Sequence, residues 1–116
     1  VLPKVERAAE VHDVFSVSGK PVIAMIESAA GVLAAPAIAA NSGTAGLFMG
    51  TNDLRKDLAI PSAASRAGLS YALQASVLAA RAARKAVFDG VFNRLDDAEG
   101  LEAECREAFA LGFDGK

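Results

Sequence analysis

Short apolar runs that alternate with longer helix-periodic segments constrain this chain more than any other feature of its sequence. Pro21-Val22-Ile23-Ala24-Met25-Ile26 and Ala45-Gly46-Leu47-Phe48-Met49-Gly50 are apolar throughout, and Ala86-Val87-Phe88-Asp89-Gly90-Val91-Phe92 makes a third run. A strand with one wet face alternates apolar and polar residues, whereas a continuous apolar run is a strand covered on both faces. Val1-Leu2, leading into Lys4-Val5-Glu6, has the same character at the start of the chain. Between these runs the period changes. Val11, Val14 and Phe15 share one face of a helix expected over about Arg7 to Phe15, which Ser18-Gly19-Lys20-Pro21 terminates. An Ala-rich helix is expected over about Gly31 to Ala40. A longer one runs from about Arg66 to Arg84, with Leu69, Leu73, Ser76, Val77 and Ala80 at spacings of three and four. Thr51 to Ser65 reads as a polar loop. Asp96 with Glu99 forms a capping box for a last helix, which turns Leu101, Cys105, Ala108 and Phe109 inward and closes at Gly112. Four such alternations predict an α/β fold, a parallel sheet wrapped by helices.

Composition narrows the function classes. The net charge of −2 offers no electrostatic footprint for nucleic acid. No apolar stretch approaches the roughly 20 residues needed to cross a bilayer, and Lys4, Glu6 and Arg7 interrupt any signal-peptide pattern at the start. The single cysteine, Cys105, forbids an internal disulfide and suits a reducing compartment. A soluble, cytoplasmic protein is the expectation. The chain also opens inside an apolar segment without an initiator Met and stops inside a turn at Gly115-Lys116, so a piece of a larger domain is expected.

Chemistry in α/β folds gathers at the carboxyl ends of the strands, here near Lys4, Glu27, Asp53 and Phe92. Two of these four ends carry an acid. Glu27 follows Met25-Ile26, and Asp53 follows Met49-Gly50-Thr51-Asn52. Carboxylates converging on one crevice repel, so either one is protonated or a cation lies between them. With oxygen donors only, that cation is Mg²⁺, which keeps waters and accepts further ligands from an oxyanionic substrate. The competing reading is structural: Asp53 caps a turn through Asp53-Leu54-Arg55-Lys56, and Glu27 pairs with a nearby Lys or Arg. Other candidates are weaker. His12 stands alone on a helix, Cys105 lies on an apolar helix face, and Ser28 lacks the flanking glycines of a nucleophile elbow. Arg55-Lys56 reads as a solvated loop that could attract an anion.

Five segments together resemble a known family. Leu2-Pro3-Lys4-Val5-Glu6, Met25-Ile26-Glu27-Ser28-Ala29-Ala30-Gly31-Val32, Met49-Gly50-Thr51-Asn52-Asp53-Leu54, Phe88-Asp89-Gly90-Val91 and Gly112-Phe113-Asp114-Gly115-Lys116 are similar, in order, to the motifs of citrate lyase β-subunit-like (CitE-like) proteins of the HpcH/HpaI aldolase/citrate lyase family. Ser28 stands where the family usually has Thr. The resemblance implies a (β/α)8 TIM barrel, of which residues 1–116 would be a partial catalytic domain, from the end of strand 4 to the start of strand 8. It implies Glu27 and Asp53 as Mg²⁺ ligands, with backbone N–H groups of Gly50, Thr51 and Asn52 contacting the substrate's carboxylate. The implied reaction is carbon–carbon cleavage of a 3-hydroxyacyl-CoA such as citryl-CoA or malyl-CoA, giving an acyl-CoA and a keto acid (oxaloacetate or glyoxylate). The family's catalytic Arg and lid residue are expected outside these residues, which alone would be inactive. A homotrimer or hexamer is implied as well. The alternatives are an aldolase acting on 2-keto-3-deoxy acids and a non-catalytic structural or interaction fragment.

Overall fold

A computed structural model of the chain describes residues 1–61 and 64–116. Three parallel strands, β1 (Val22–Ile26), β2 (Thr44–Met49) and β3 (Ala86–Phe88), lie side by side in chain order. Ile26 pairs with Met49, and Phe48 with Phe88, so the carboxyl ends are level. Leu2 bridges to Ala24 outside β1, and Gly115 bridges to Phe88 outside β3, both parallel. Five consecutive positions therefore follow one another without reversal. A doubly wound sheet reverses its strand order at a switch point; a barrel wall does not. This is the α/β, barrel-type arrangement expected.

The core forms on the helix-covered face of β1 and β2; the alternate residues Ile23, Met25 and Phe48 are only half-buried and Ala45 is exposed, so the coverage of both faces expected from the apolar runs is not what the structure shows. Ala24, Ile26, Leu47 and Met49 are fully buried, beneath α1 (Ala8–Ser18), α2 (Ala29–Ala40) and α4 (Ser70–Ala82). Val11, Ala35, Ile38, Leu73 and Ala80 are the inward residues of those helices. Their ends follow from local chemistry. Gly19, at φ 65°, closes α1 in the left-handed region that glycine enters without strain. The Ser28 hydroxyl caps α2 by accepting from the Gly31 N–H.

Several expectations for individual elements are corrected. Thr51–Asp57 is not loop but a two-turn helix, α3; the stretch is short and polar, so it has no apolar period to read. The remainder of that expected loop includes residues 62–63, which lie outside the described residues. The helix expected from Arg66 begins as a 3-10 turn, Arg66–Leu69. The third strand stops at Phe88 rather than Phe92; beyond it Asp89 keeps one bond to the neighbouring segment, its N–H to Gly115 O at 2.9 Å, while its carboxylate meets two cations. Asp97, not Asp96, caps α5 (Ala98–Leu111), accepting from the Gly100 N–H at 2.8 Å. On α5 only Ala108 is buried; Cys105 is half-exposed, Leu101 is exposed, and Phe109 is 81% exposed.

Candidate metal and substrate site

Glu27 follows β1 directly and is 7% exposed. One oxygen, Oε1, accepts the Lys4 N–H at 2.8 Å. Among the described residues no Lys or Arg forms a salt bridge with it, which removes the ion-pair alternative. A buried carboxylate with one backbone donor and no cation is under-compensated. The other oxygen, Oε2, lies over Gly50, where a Cβ would come to 2.5 Å of it. Gly50 is thus glycine for space: the carboxylate occupies the volume of its missing side chain.

Gly50 ends β2, donating its N–H to Ile26 O at 2.9 Å, and precedes α3. That N–H is consumed by the sheet. The Thr51 and Asn52 N–H groups, at the first two positions of α3, have no acceptor in their own helix. Asp53 completes the first turn of α3, one turn beyond the strand end that faces Glu27. Its Oδ1 accepts from Lys56 Nζ at 2.7 Å, across an exposed pair. Hydrogen bond and charge from Lys56 hold the Asp53 carboxyl below the usual carboxylate range, and the Lys4 charge adds to this. The carboxyl end of the sheet therefore presents two carboxylates, one directly after β1 and one in the helix that follows β2. Among the described residues no third His, Cys, Asp or Glu joins them in a metal-binding cluster. Two carboxylates and an otherwise open face fit a hard divalent cation such as Mg²⁺, which keeps several waters and takes substrate oxygens.

The third strand end also bears an acid, which the sequence reading placed inside a strand. Asp89 is fully buried, and both its oxygens are taken. Arg66 Nη2 reaches Oδ1 at 2.6 Å, and Lys116 Nζ reaches Oδ2 at 2.8 Å. Arg66 also binds Glu104 at 2.8 Å, and Lys116 bonds the same carboxylate. Asp89 is neutralised and unavailable to a metal. Its sequence signal was the one shared by Glu27, an acid directly after an apolar run.

A groove of about 950 Å³ runs along α3, lined by neither Glu27 nor Asp53. Thr51, Asn52, Arg55 and Lys56 form one wall, Val91 to Arg94 the other, with Arg66 and Leu69 between them. Asn52 and Asn93 clasp across it through reciprocal amide hydrogen bonds of 3.1 and 2.8 Å. Gly90 permits the close approach; a Cβ there would meet Met49 O at 2.8 Å and Thr51 Cγ2 at 2.7 Å. Asn93 was not singled out from sequence, and Gly90 entered only as part of the Phe88-Asp89-Gly90-Val91 motif, with no role given to it. His12 is exposed on α1, beside Ser16 and away from the strand ends.

The family model described as HpcH/HpaI aldolase/citrate lyase matches residues 1–116. A (3S)-malyl-CoA thioesterase of Cereibacter sphaeroides is 44% identical over 117 residues, covering all of this chain and 41% of the relative. The citrate lyase subunit beta of Leuconostoc mesenteroides subsp. cremoris is 39% identical over 128 residues, 99% of this chain and 42% of the relative. The citrate lyase beta subunit from M. tuberculosis, solved with oxaloacetate and magnesium, superposes with a TM-score of 0.86 at 36% identity, over 98% of this chain and 52% of that one. The chain spans about two-fifths of the curated relatives it matches and half of that solved structure.

Proposed function

Because this chain belongs to the HpcH/HpaI aldolase/citrate lyase family, we propose that it carries the metal-binding part of a Mg²⁺-dependent carbon–carbon lyase. The substrate is a 3-hydroxyacyl-CoA of the citryl-CoA or malyl-CoA type, and the products are an acyl-CoA and a keto acid. The observation that carries this reading is the buried Glu27 carboxylate, which has no Lys or Arg salt-bridge partner among the described residues and stands at the same sheet end from which α3, with Asp53, departs. Mg²⁺ held by Glu27 and Asp53 would polarise the oxygen on the carbon whose bond breaks. This chain's own residues supply the rest of the grip. The Thr51 and Asn52 N–H groups are placed to receive the carboxylate of the keto acid half. The Asn52–Asn93 clasp fixes the loops around them. The groove beyond, with Arg55, Lys56 and Arg94 along it, suits the anionic remainder of a thioester.

A second reading has its own support, the 44% identity to a thioesterase for malyl-CoA. Hydrolysis of the same substrate would release free CoA and malate, with the carbon skeleton intact. One assay separates the two. Calorimetry on the full-length protein first measures Mg²⁺ and oxaloacetate binding, wild type beside Glu27→Ala and Asp53→Ala. Malyl-CoA turnover is then followed for acetyl-CoA plus glyoxylate against free thiol plus malate. Loss of metal-dependent binding in both variants, with acetyl-CoA formed by wild type, supports the lyase. Thiol release without glyoxylate selects the thioesterase. Absence of metal and keto acid binding by wild type removes both and leaves the structural reading.

A further inference from the structure

We propose that Lys4 is a positioning residue: a one-residue backbone bulge there aims its N–H at Glu27 and fixes which oxygen of that carboxylate remains free. The hydrogen-bond ladder outside β1 breaks step at Lys4. Leu2 donates to Ile23 O and accepts from Met25 N, both at 2.8 Å, as a parallel pair requires. In a regular ladder the next donor to Met25 O is two residues on, at Lys4. Instead Val5 makes that bond, at 3.2 Å. Lys4 is the extra residue, and its N–H is released from the sheet. It turns to Glu27 Oε1 at 2.8 Å. The turn needs left-handed backbone, and Lys4 has φ 53°, one of three non-glycine residues with positive φ among the described residues.

That conformation is unfavourable for a lysine, and bulges and left-handed residues gather where a structure re-aims a functional group. Gly50 forms the opposite wall. The two together hold Glu27 between a donor on Oε1 and an empty Cβ position at Oε2. Neither Lys4 nor Gly50 gives the carboxylate a neutralising charge through these contacts. They orient it and leave its negative charge uncompensated, as a metal ligand needs.

The proposal rests on the metal reading above, and its test separates the two. In the full-length protein, Lys4→Gly and Lys4→Asn tolerate positive φ and keep the N–H. They are expected to bind Mg²⁺ within about twofold of wild type. Lys4→Val opposes the bulge, and Gly50→Ala fills the space of Oε2. Each should weaken Mg²⁺ at least about tenfold, the usual loss on removing an outer-shell partner. Independently of metal, the Lys4 amide proton in ¹⁵N-edited NMR should lie downfield in wild type and move upfield in Glu27→Ala. If wild type binds no Mg²⁺ but the amide shift moves, the metal reading falls and the Lys4–Glu27 positioning stands. A Lys4 amide indifferent to Glu27→Ala overturns the proposal, as does a folded Lys4→Val with wild-type affinity. Should Lys4→Val fail to fold, Gly50→Ala and the amide comparison decide by the same criteria.

Discussion

Three acids follow three strand ends, and their surroundings give them different work. Asp89 is buried and saturated by Arg66 and Lys116, so its charge serves the fold. Glu27 is buried with one backbone donor on Oε1, so its second oxygen is left over. Asp53 is partly exposed and accepts a hydrogen bond from the Lys56 ammonium, three residues on along α3. An exposed pair of this kind contributes little to stability, so a dication can displace the ammonium from Asp53 without disturbing the helix. Lys56 nevertheless competes for the carboxylate and repels an incoming cation. Lys56→Ala is therefore expected to tighten Mg²⁺ binding by about two- to fivefold at low salt, with the gain shrinking as ionic strength rises. Calorimetric titration at two salt concentrations checks this. Unchanged affinity at low salt would mean that Asp53 is not a ligand.

At the scale of elements, legibility followed period and length. β1 and β2 were readable as continuous apolar runs, α2 as an Ala-rich stretch, and α4 from apolar residues at spacings of three and four. α3 was not, since Thr51–Asp57 is two turns long and only Thr51 and Leu54 turn inward. β3 was overextended because Val91 and Phe92 are apolar; the strand ends at Phe88, and the Asp89 carboxylate meets partners at positions 66 and 116, which local pattern cannot reveal. For α5 the cap is Asp97 rather than Asp96, and of the residues expected to face inward Leu101 and Phe109 are exposed. The segment after α5 is held by another acid invisible to pattern reading. Asp114 accepts from Arg81 at 2.7 Å and from the Val87 N–H at 2.8 Å, joining α4 and the start of β3. The Arg81 hydrogen bond, then the Val87 N–H, hold its carboxyl below the ordinary 3.8. A depressed folded-state value stabilises the fold above the unfolded value, and that stability is lost as pH falls through the folded one. Asp114→Asn should thus be less stable than wild type at neutral pH. The difference should narrow only below about pH 4 and close on further acidification. Urea melts across pH 2–7 measure it, and a gap constant with pH would assign the contact to shape rather than charge.

At the scale of the molecule, parallel strands without reversal put every strand's carboxyl end on one rim and every amino end on the other. Lys4, Glu27, Gly50, Asp53 and the groove lie on the first rim. The second is occupied by bonds that serve packing alone: Thr44 Oγ1 donates to Ile38 O at 2.6 Å, and Asn41 bridges Ala8 O and the Gly43 N–H. The family motifs in the sequence led to the first rim, whereas the second carries no motif, because a buried Thr hydroxyl on a carbonyl is common to any fold. Barrel architectures separate function and stability between rims in this way. The separation predicts opposite effects from two nearly isosteric substitutions. Thr44→Val keeps the volume but leaves Ile38 O without its hydroxyl donor, and should cost about 1–2 kcal/mol of stability with Mg²⁺ affinity unchanged. Glu27→Gln keeps an acceptor for the Lys4 N–H and removes an uncompensated buried charge. It should leave stability level or raised, while Mg²⁺ affinity falls at least about tenfold. Thermal melts and metal titrations on the same two preparations decide it. If Thr44→Val loses metal affinity in proportion to stability, the rims are coupled and the site depends on the whole sheet. If Glu27→Gln instead unfolds the protein, Glu27 is structural and the metal has no seat on β1.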